Sequence, residues 1–222
     1  MGRGPLWESV IGVPTQACLD QWWFVLLYVQ NYVGVPNTSW YLAVDMQLAW
    51  LAPLLLLPLY KWPKQTIHFV LIVLAASCFA PLAVTYVNSY PWSLTHNIID
   101  DEMYLPTYMR VTPYLVGVLL AYFMYPYKST QVKLNKAVVA AGWLSSVSVG
   151  VAVLFTLSIP YQPSYVYDRV DAAFYAGFHR LGWSLFVAWV VFACANGYGA
   201  TIFEAAEMRL IHLLKSPNGF QA

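Results

Sequence analysis

Asp45 and Gln47 stand inside "SWYLAVDMQLAWLAPLLLLPLY", residues 39–60, a stretch about as long as the ~20 residues a bilayer-crossing helix needs. An acid in such a place is expensive unless it is shallow, paired or used. Asp45 lies about five residues, or ~8 Å, from the amino-terminal end, where the cost falls below the ~2.5–3.5 kcal/mol of a helix centre. Thr38 or Ser39 can cap that end, and the helix dipole favours an acid there, although the benefit fades beyond the first turn. A second reading looks for partners. Arg110 opens a later apolar stretch, and His179 and Arg180 open another. If successive spans alternate in direction, all of these reach one leaflet. An arginine can hold a carboxylate through two parallel hydrogen bonds, which lets both charges tolerate a low dielectric. The expectation is a polar intramembrane cluster of Asp45, Gln47, Arg110 and Arg180, with Asp45 paired to Arg110 or Arg180. For each arginine alone, the alternative is a side chain that reaches out to the headgroups. His179 is the candidate general base, as the histidine beside the cluster that is partly desolvated. Its structural alternative is an interfacial histidine next to an arginine.

Other chemistries find no footing. There is no phosphate loop, no H-E-x-x-H and no G-x-S-x-G, and His68, His96, His179 and His212 lack metal-ligand spacing. No metal, no resident cofactor and no nucleic-acid partner is expected. The three cysteines, Cys18, Cys78 and Cys194, are placed too differently to suggest a disulfide framework.

The elements that must carry these groups follow from composition. Apolar residues make up 60% and charged residues 9% of the chain, against roughly 25% charged in soluble proteins, so the solvent is lipid. Windows long enough to span run from Trp40 to Tyr60, Thr66 to Val87, Val111 to Tyr125, Ala137 to Ile159 and Phe178 to Gly197. The third is the shortest. The expected fold is all-α, a polytopic transmembrane helix bundle of about five spanning helices. It divides into an exoplasmic segment (1–39), the bundle (40–197) and a cytoplasmic tail (198–222). Pro53, Pro58 and Pro81 fall inside spans, where neighbours can satisfy the carbonyls they free.

Basic residues set the orientation. Lys61, Lys64, Lys128, Lys133, Lys136, Arg209 and Lys215 are seven of the eleven and fall on one side if the helices alternate. Since Lys and Arg favour the cytoplasm, the amino terminus is expected outside or lumenal and the carboxyl terminus cytoplasmic, in the endoplasmic reticulum or plasma membrane. The opening residues lack the apolar core of a cleaved signal peptide. Asn37-Thr38-Ser39 is then a glycosylation sequon on the outer side. Trp22 to Tyr32 is apolar and aromatic but too short to span. It reads as an interfacial or re-entrant element, with Trp22, Trp23, Trp40 and Tyr41 in an aromatic belt. Residues 200–215 have helix-like apolar spacing and suggest an amphipathic helix on the cytoplasmic surface.

Four stretches also carry a family resemblance. "CLDQWWFVLLYVQNY" (18–32), "SWYLAVDMQL" (39–48), "YMRVTPYLVGVLLAY" (108–122) and "FHRLGWSLFVAWVVFACANGYG" (178–199) together resemble the carboxyl-terminal half of nose-resistant-to-fluoxetine-like proteins, an animal branch of the membrane acyltransferase type three family. The resemblance implies an integral membrane protein that moves an acyl group from a coenzyme A thioester to a lipid or carbohydrate acceptor. Asp45 and Gln47 match the acidic and amide positions of the family's W-x-L-x-x-E/D-x-Q segment. Arg110 matches the arginine of R-x-x-P-Y-L-x-G, and Arg180 that of Y-x-x-x-x-R-x-x-W. The family's catalytic histidine, in a "DGLR…H" segment, has no counterpart among these residues, nor does its cysteine-rich lumenal domain. The expectation is therefore a partial family fold, inactive by itself, with membrane lipids as partners. The alternative is a non-catalytic membrane protein that binds or transports lipids or xenobiotics, or acts as a scaffold.

Overall fold

A computed structural model of the chain describes residues 19–33, 40–90, 105–127, 132–162 and 164–199. Cys18, the Asn37 sequon and the 200–215 segment lie outside the described residues.

Among the described residues, seven α-helices carry the fold: α1 (Trp22–Leu26), α2 (Gln30–Val33), α3 (Trp40–Lys61), α4 (Pro63–Asn88), α5 (Val111–Met124), α6 (Lys136–Thr156) and α7 (Arg169–Ala195). Among the described residues there is no strand. Four stretches of the described residues are long and apolar enough to cross a membrane: α3, α4, α6 extended through the turn to Tyr161, and α7; Val111–Tyr127 is a shorter apolar one. Only 17–22% of the residues in the spanning windows are buried within the protein. Leu54, Ile72, Leu144 and Phe155 are each 68–71% exposed. So large an outward apolar surface is untenable in water and ordinary in lipid, and the chain is an all-α integral membrane protein.

The helix ends follow local chemistry. Pro63 begins α4, where its missing N–H costs no helical bond. At the other end Ser89 takes a left-handed φ of 54° and its N–H returns to the Thr85 carbonyl. Pro53 and Pro58 sit within α3 without ending it, as expected where the medium offers no competing water. The start of α7 corrects the expected span. It lies at Arg169, not Phe178, because the Asp168 carboxylate accepts the Val170 N–H at 2.7 Å and caps the helix. Asp171 follows in the first turn, so polar residues that suggested a loop by their composition form the opening of the helix.

Between α3 and α4 only Trp62 intervenes, yet the chain reverses there. Gln47 bonds Thr107, and Ser77 bonds Thr112 at 2.8 Å. Thirty residues of uninterrupted helix would separate Gln47 from Ser77 by ~45 Å, whereas Thr107 and Thr112 can be no more than ~18 Å apart. Both bonds form only if α3 and α4 fold back on each other as a hairpin.

The described residues separate into two compact units. One comprises those up to Leu115 together with Leu157–Leu181, and the other Val116–Thr156 together with those from Gly182 onward. In the first, Ala43, Leu48, Val70, Cys78, Met109 and Ala172 are buried, and α7 approaches α4 closely at Gly177. A Cβ there would lie 2.9 Å from the Cys78 carbonyl oxygen. In the second unit small residues meet large rings: Gly142 faces the Trp189 indole, which would overlap any added Cβ, and Gly150 faces Phe186. This is how helices pack where lipid removes the hydrophobic drive to associate.

Candidate functional site

The polar residues of the first unit gather around the amino-terminal turns of α3 in two arrangements. The first explains Gln47. Helix α1 ends in a double backbone return, Val29 N–H to Phe24 O at 3.0 Å and Tyr28 N–H to Val25 O at 3.2 Å. Tyr28 occupies the left-handed position of this motif, with φ 54°. Glycine is usual there, and a tyrosine costs on the order of 1–2 kcal/mol. The turn aims the Tyr28 carbonyl at α3, where it accepts Gln47 Nε2 at 2.5 Å. The second Nε2 proton goes to Asn31 Oδ1 at 2.9 Å. Asn31 Nδ2 donates to the Leu105 carbonyl at 3.2 Å and to Thr107 Oγ1 at 3.0 Å. Thr107 Oγ1 in turn donates to Gln47 Oε1.

Asn31, Thr107 and Gln47 thus form a closed ring in which each donates to the next. A primary amide has two protons, and both amides here spend both. Because Tyr28 and Leu105 offer carbonyls, which only accept, the NH2 groups must face them and the orientation of each amide is settled by chemistry. Asn31 is 3% and Thr107 7% exposed. The ring fixes α1, α2, α3 and the 3₁₀ turn Thr107–Met109 against one another. Behind it, Ser77 gives its single proton to the Leu74 carbonyl at 2.8 Å, so Thr112 is the donor in the buried Ser77–Thr112 bond.

The second arrangement holds the charges. The Arg110 guanidinium carbon lies 4.9 Å from the centroid of the Trp40 ring, a cation–π contact. Arg180 Nη1 donates to the Met109 carbonyl at 2.7 Å, reaching from α7 to the residue before Arg110. Asp45, Arg110, Tyr41, Val44, Leu48 and Tyr114 line one cleft of about 530 Å³. Asp45 and Arg110 thus share one cleft, and no ion pair joins Asp45 to Arg110 or Arg180 among the described residues. The reason is geometric: Asp45 is exposed on α3, Arg110 lies over Trp40, and Arg180 turns to a backbone carbonyl.

His179 Nδ1 bonds the Tyr175 carbonyl at 2.7 Å, and its ring stacks on Tyr175 at 4.9 Å. Since a carbonyl cannot donate, Nδ1 carries the proton and Nε2 is the nitrogen left to accept one. Trp22 and Trp23 are 59% and 46% exposed and Tyr41 56%, whereas Trp40 serves Arg110. Reading the sequence missed Asn31 and Thr107. The one available signal was the pair Gln30-Asn31 interrupting an aromatic run.

In the second unit Tyr198 and Asn196 bond backbone groups. Tyr198 Oη accepts the Leu134 N–H and donates to the Val132 carbonyl, both at 2.6 Å, while Asn196 Oδ1 accepts the Val132 N–H at 2.8 Å. They satisfy the backbone that precedes α6, where helical partners are lacking.

With this geometry in view, comparison with known proteins gives one direction. The chain is 27% identical, over 232 aligned positions, to nose resistant to fluoxetine protein 6 of Caenorhabditis elegans. The chain resembles the nose-resistant-to-fluoxetine proteins. The match covers 95% of this chain but 28% of the relative, so the chain spans less than a third of the length of the curated protein it matches. No family model and no solved structure matches it. The aligned region takes in the Gln47 ring, the Asp45–Arg110 cleft and most of the remaining chain, because so little of this chain is left unmatched.

Proposed function

We propose that this chain is part of the membrane domain of an acyltransferase-type protein, in which the cleft beside Asp45 and Arg110 receives the acceptor. In this reading an acyl group passes from a cytoplasmic coenzyme A thioester to a hydroxyl of a lipid or carbohydrate, with the amino terminus on the lumenal or extracellular side. The observation that carries it is the meeting of a carboxylate and a guanidinium in one cleft on a membrane-crossing helix, in a chain that resembles a nose-resistant-to-fluoxetine protein. Such groups order an acceptor by hydrogen bonding within a partly desolvated space. His179 Nε2 is the base these residues offer. The family's "DGLR…H" segment is not among them, so the 222 residues by themselves are expected to be inactive.

A second reading, non-catalytic binding of lipids or xenobiotics or a scaffold role, is favoured by a different observation: the Gln47–Asn31–Thr107 ring spends its amide protons on its own members and on the Tyr28 and Leu105 carbonyls. The test is turnover in lipid nanodiscs, with labelled acyl coenzyme A and lipid and carbohydrate acceptors, of the purified chain beside a longer relative. A longer relative that carries the histidine segment should turn over, and lose that activity when its residues matching Asp45 and Arg110 are neutralised. Turnover that survives those changes would sink the acyltransferase assignment of the cleft.

A further inference from the structure

We infer that the Asp45–Arg110 cleft selects a zwitterionic phospholipid headgroup, with the phosphate beside Arg110 and the ammonium beside Asp45. This deepens, and rests on, the reading of the cleft as an acceptor-binding site. Three observations lead there. Among the described lining residues, the cleft carries one carboxylate, Asp45, and one guanidinium, Arg110. A simple anion would be attracted by Arg110 and repelled by Asp45, and a simple cation the reverse; a ligand that bears both charges a few bonds apart satisfies both.

Next, the remaining wall is apolar or aromatic, with Val44, Leu48, Tyr41 and Tyr114. Tyrosine faces favour a quaternary ammonium, and the aliphatic residues suit the glycerol and first methylenes of acyl chains. A space of about 530 Å³ lies within the usual range for small-molecule sites and is ~10 Å across if taken as a sphere, ample for a headgroup and too small for whole acyl chains.

Lastly, the cleft opens on α3, one of the membrane-crossing helices, within its first turns. In a bilayer crossed by α3, the first turns of the helix lie close to the headgroups. Asp45 is exposed there, and the contacts to Trp40 and to Met109 O hold Arg110 and the turn beside it in place. The site is thus formed in advance, and the ligand need not order it.

Native mass spectrometry of the full chain, released from detergent containing equal amounts of phosphatidylcholine, phosphatidylglycerol and a quaternary-ammonium amphiphile without phosphate, tests the inference. Phosphatidylcholine should be retained over the other two by roughly three- to five-fold, the scale of one partly exposed ion pair. Asp45→Asn should shift retention toward phosphatidylglycerol. Arg110→Lys should keep the preference, and Arg110→Gln should abolish it. If Arg110→Gln fails to fold, Asp45→Asn and Arg110→Lys still decide. Equal or greater retention of phosphatidylglycerol or of the amphiphile by the unaltered chain, or no response to Asp45→Asn, would overturn the inference. Turnover is a separate readout. Phosphatidylcholine preference without acyl transfer in the longer relative would remove the enzyme reading and leave this one, and transfer without the preference would do the opposite.

Discussion

In the first unit, Gln47, Asn31 and Thr107 hold helices together by a ring of directed hydrogen bonds; in the second, Gly142 and Gly150 do so by letting Trp189 and Phe186 lie against bare backbone. The difference teaches what each device specifies. A hydrogen-bonded amide is satisfied in one orientation, so it fixes how far a helix is rotated and at what depth it sits. A glycine under an aromatic ring fixes the distance between helices and tolerates small slides. The region that holds the Asp45–Arg110 cleft uses the stricter device.

The contrast can be broken at its strictest point first. Gln47→Leu removes two bonds of the ring and the bond to the Tyr28 carbonyl, and leaves Asn31 Oδ1, Thr107 and the Tyr28 carbonyl without their partner. It should cost about 2–4 kcal/mol, seen as a lowered unfolding midpoint in mild detergent and as lost lipid selectivity. An unchanged midpoint would mean that the ring is ornamental. Next comes Gly142→Ala, whose Cβ would overlap the Trp189 ring. It should destabilise by about 1–3 kcal/mol without touching lipid selectivity, and Trp189→Leu should rescue part of the loss, because neighbouring changes are not additive. Full additivity in that double mutant would argue against the contact.

Tyr198→Phe deletes a hydroxyl that serves both Val132 and Leu134. About 1–2 kcal/mol of local stability should go, visible as faster amide exchange at Leu134 while the first unit's amides keep their rates. The smallest effect is expected from Asp45→Asn, which should stay within about 0.5 kcal/mol of the parent because Asp45 is exposed. A large loss there would show that the carboxylate is structural, and would remove the reason to place it in a binding cleft.

Much of this was legible beforehand, for identifiable reasons. Length and apolarity located α3 almost to the residue, since a lipid-crossing helix needs nothing more than a run of suitable length. The start of α7 was missed because Asp168, Arg169 and Asp171 look like a loop by composition, and only their hydrogen bonding shows that Asp168 is a cap. Asp45 and Arg110 line one cleft, and no ion pair joins them among the described residues. Depth along two helices can be counted from a sequence, whereas the side-chain direction that decides a bond depends on what else is within reach, here Trp40 for Arg110 and the Met109 carbonyl for Arg180.

The sequence by itself determined the solvent, the helical class, the approximate spans and the presence of a few costly polar groups at one end of them, because each follows from composition and from periodic geometry along the chain. What Gln47 does, and which residues share the cleft with Asp45, was decided only by tertiary structure. Asn31, Gln47 and Thr107 are 16 and 60 residues apart in the chain, and no local rule links them. They meet because a left-handed turn at Tyr28 and a reversal at Trp62 carry three separate segments to one place, where every proton of the two amides finds an acceptor.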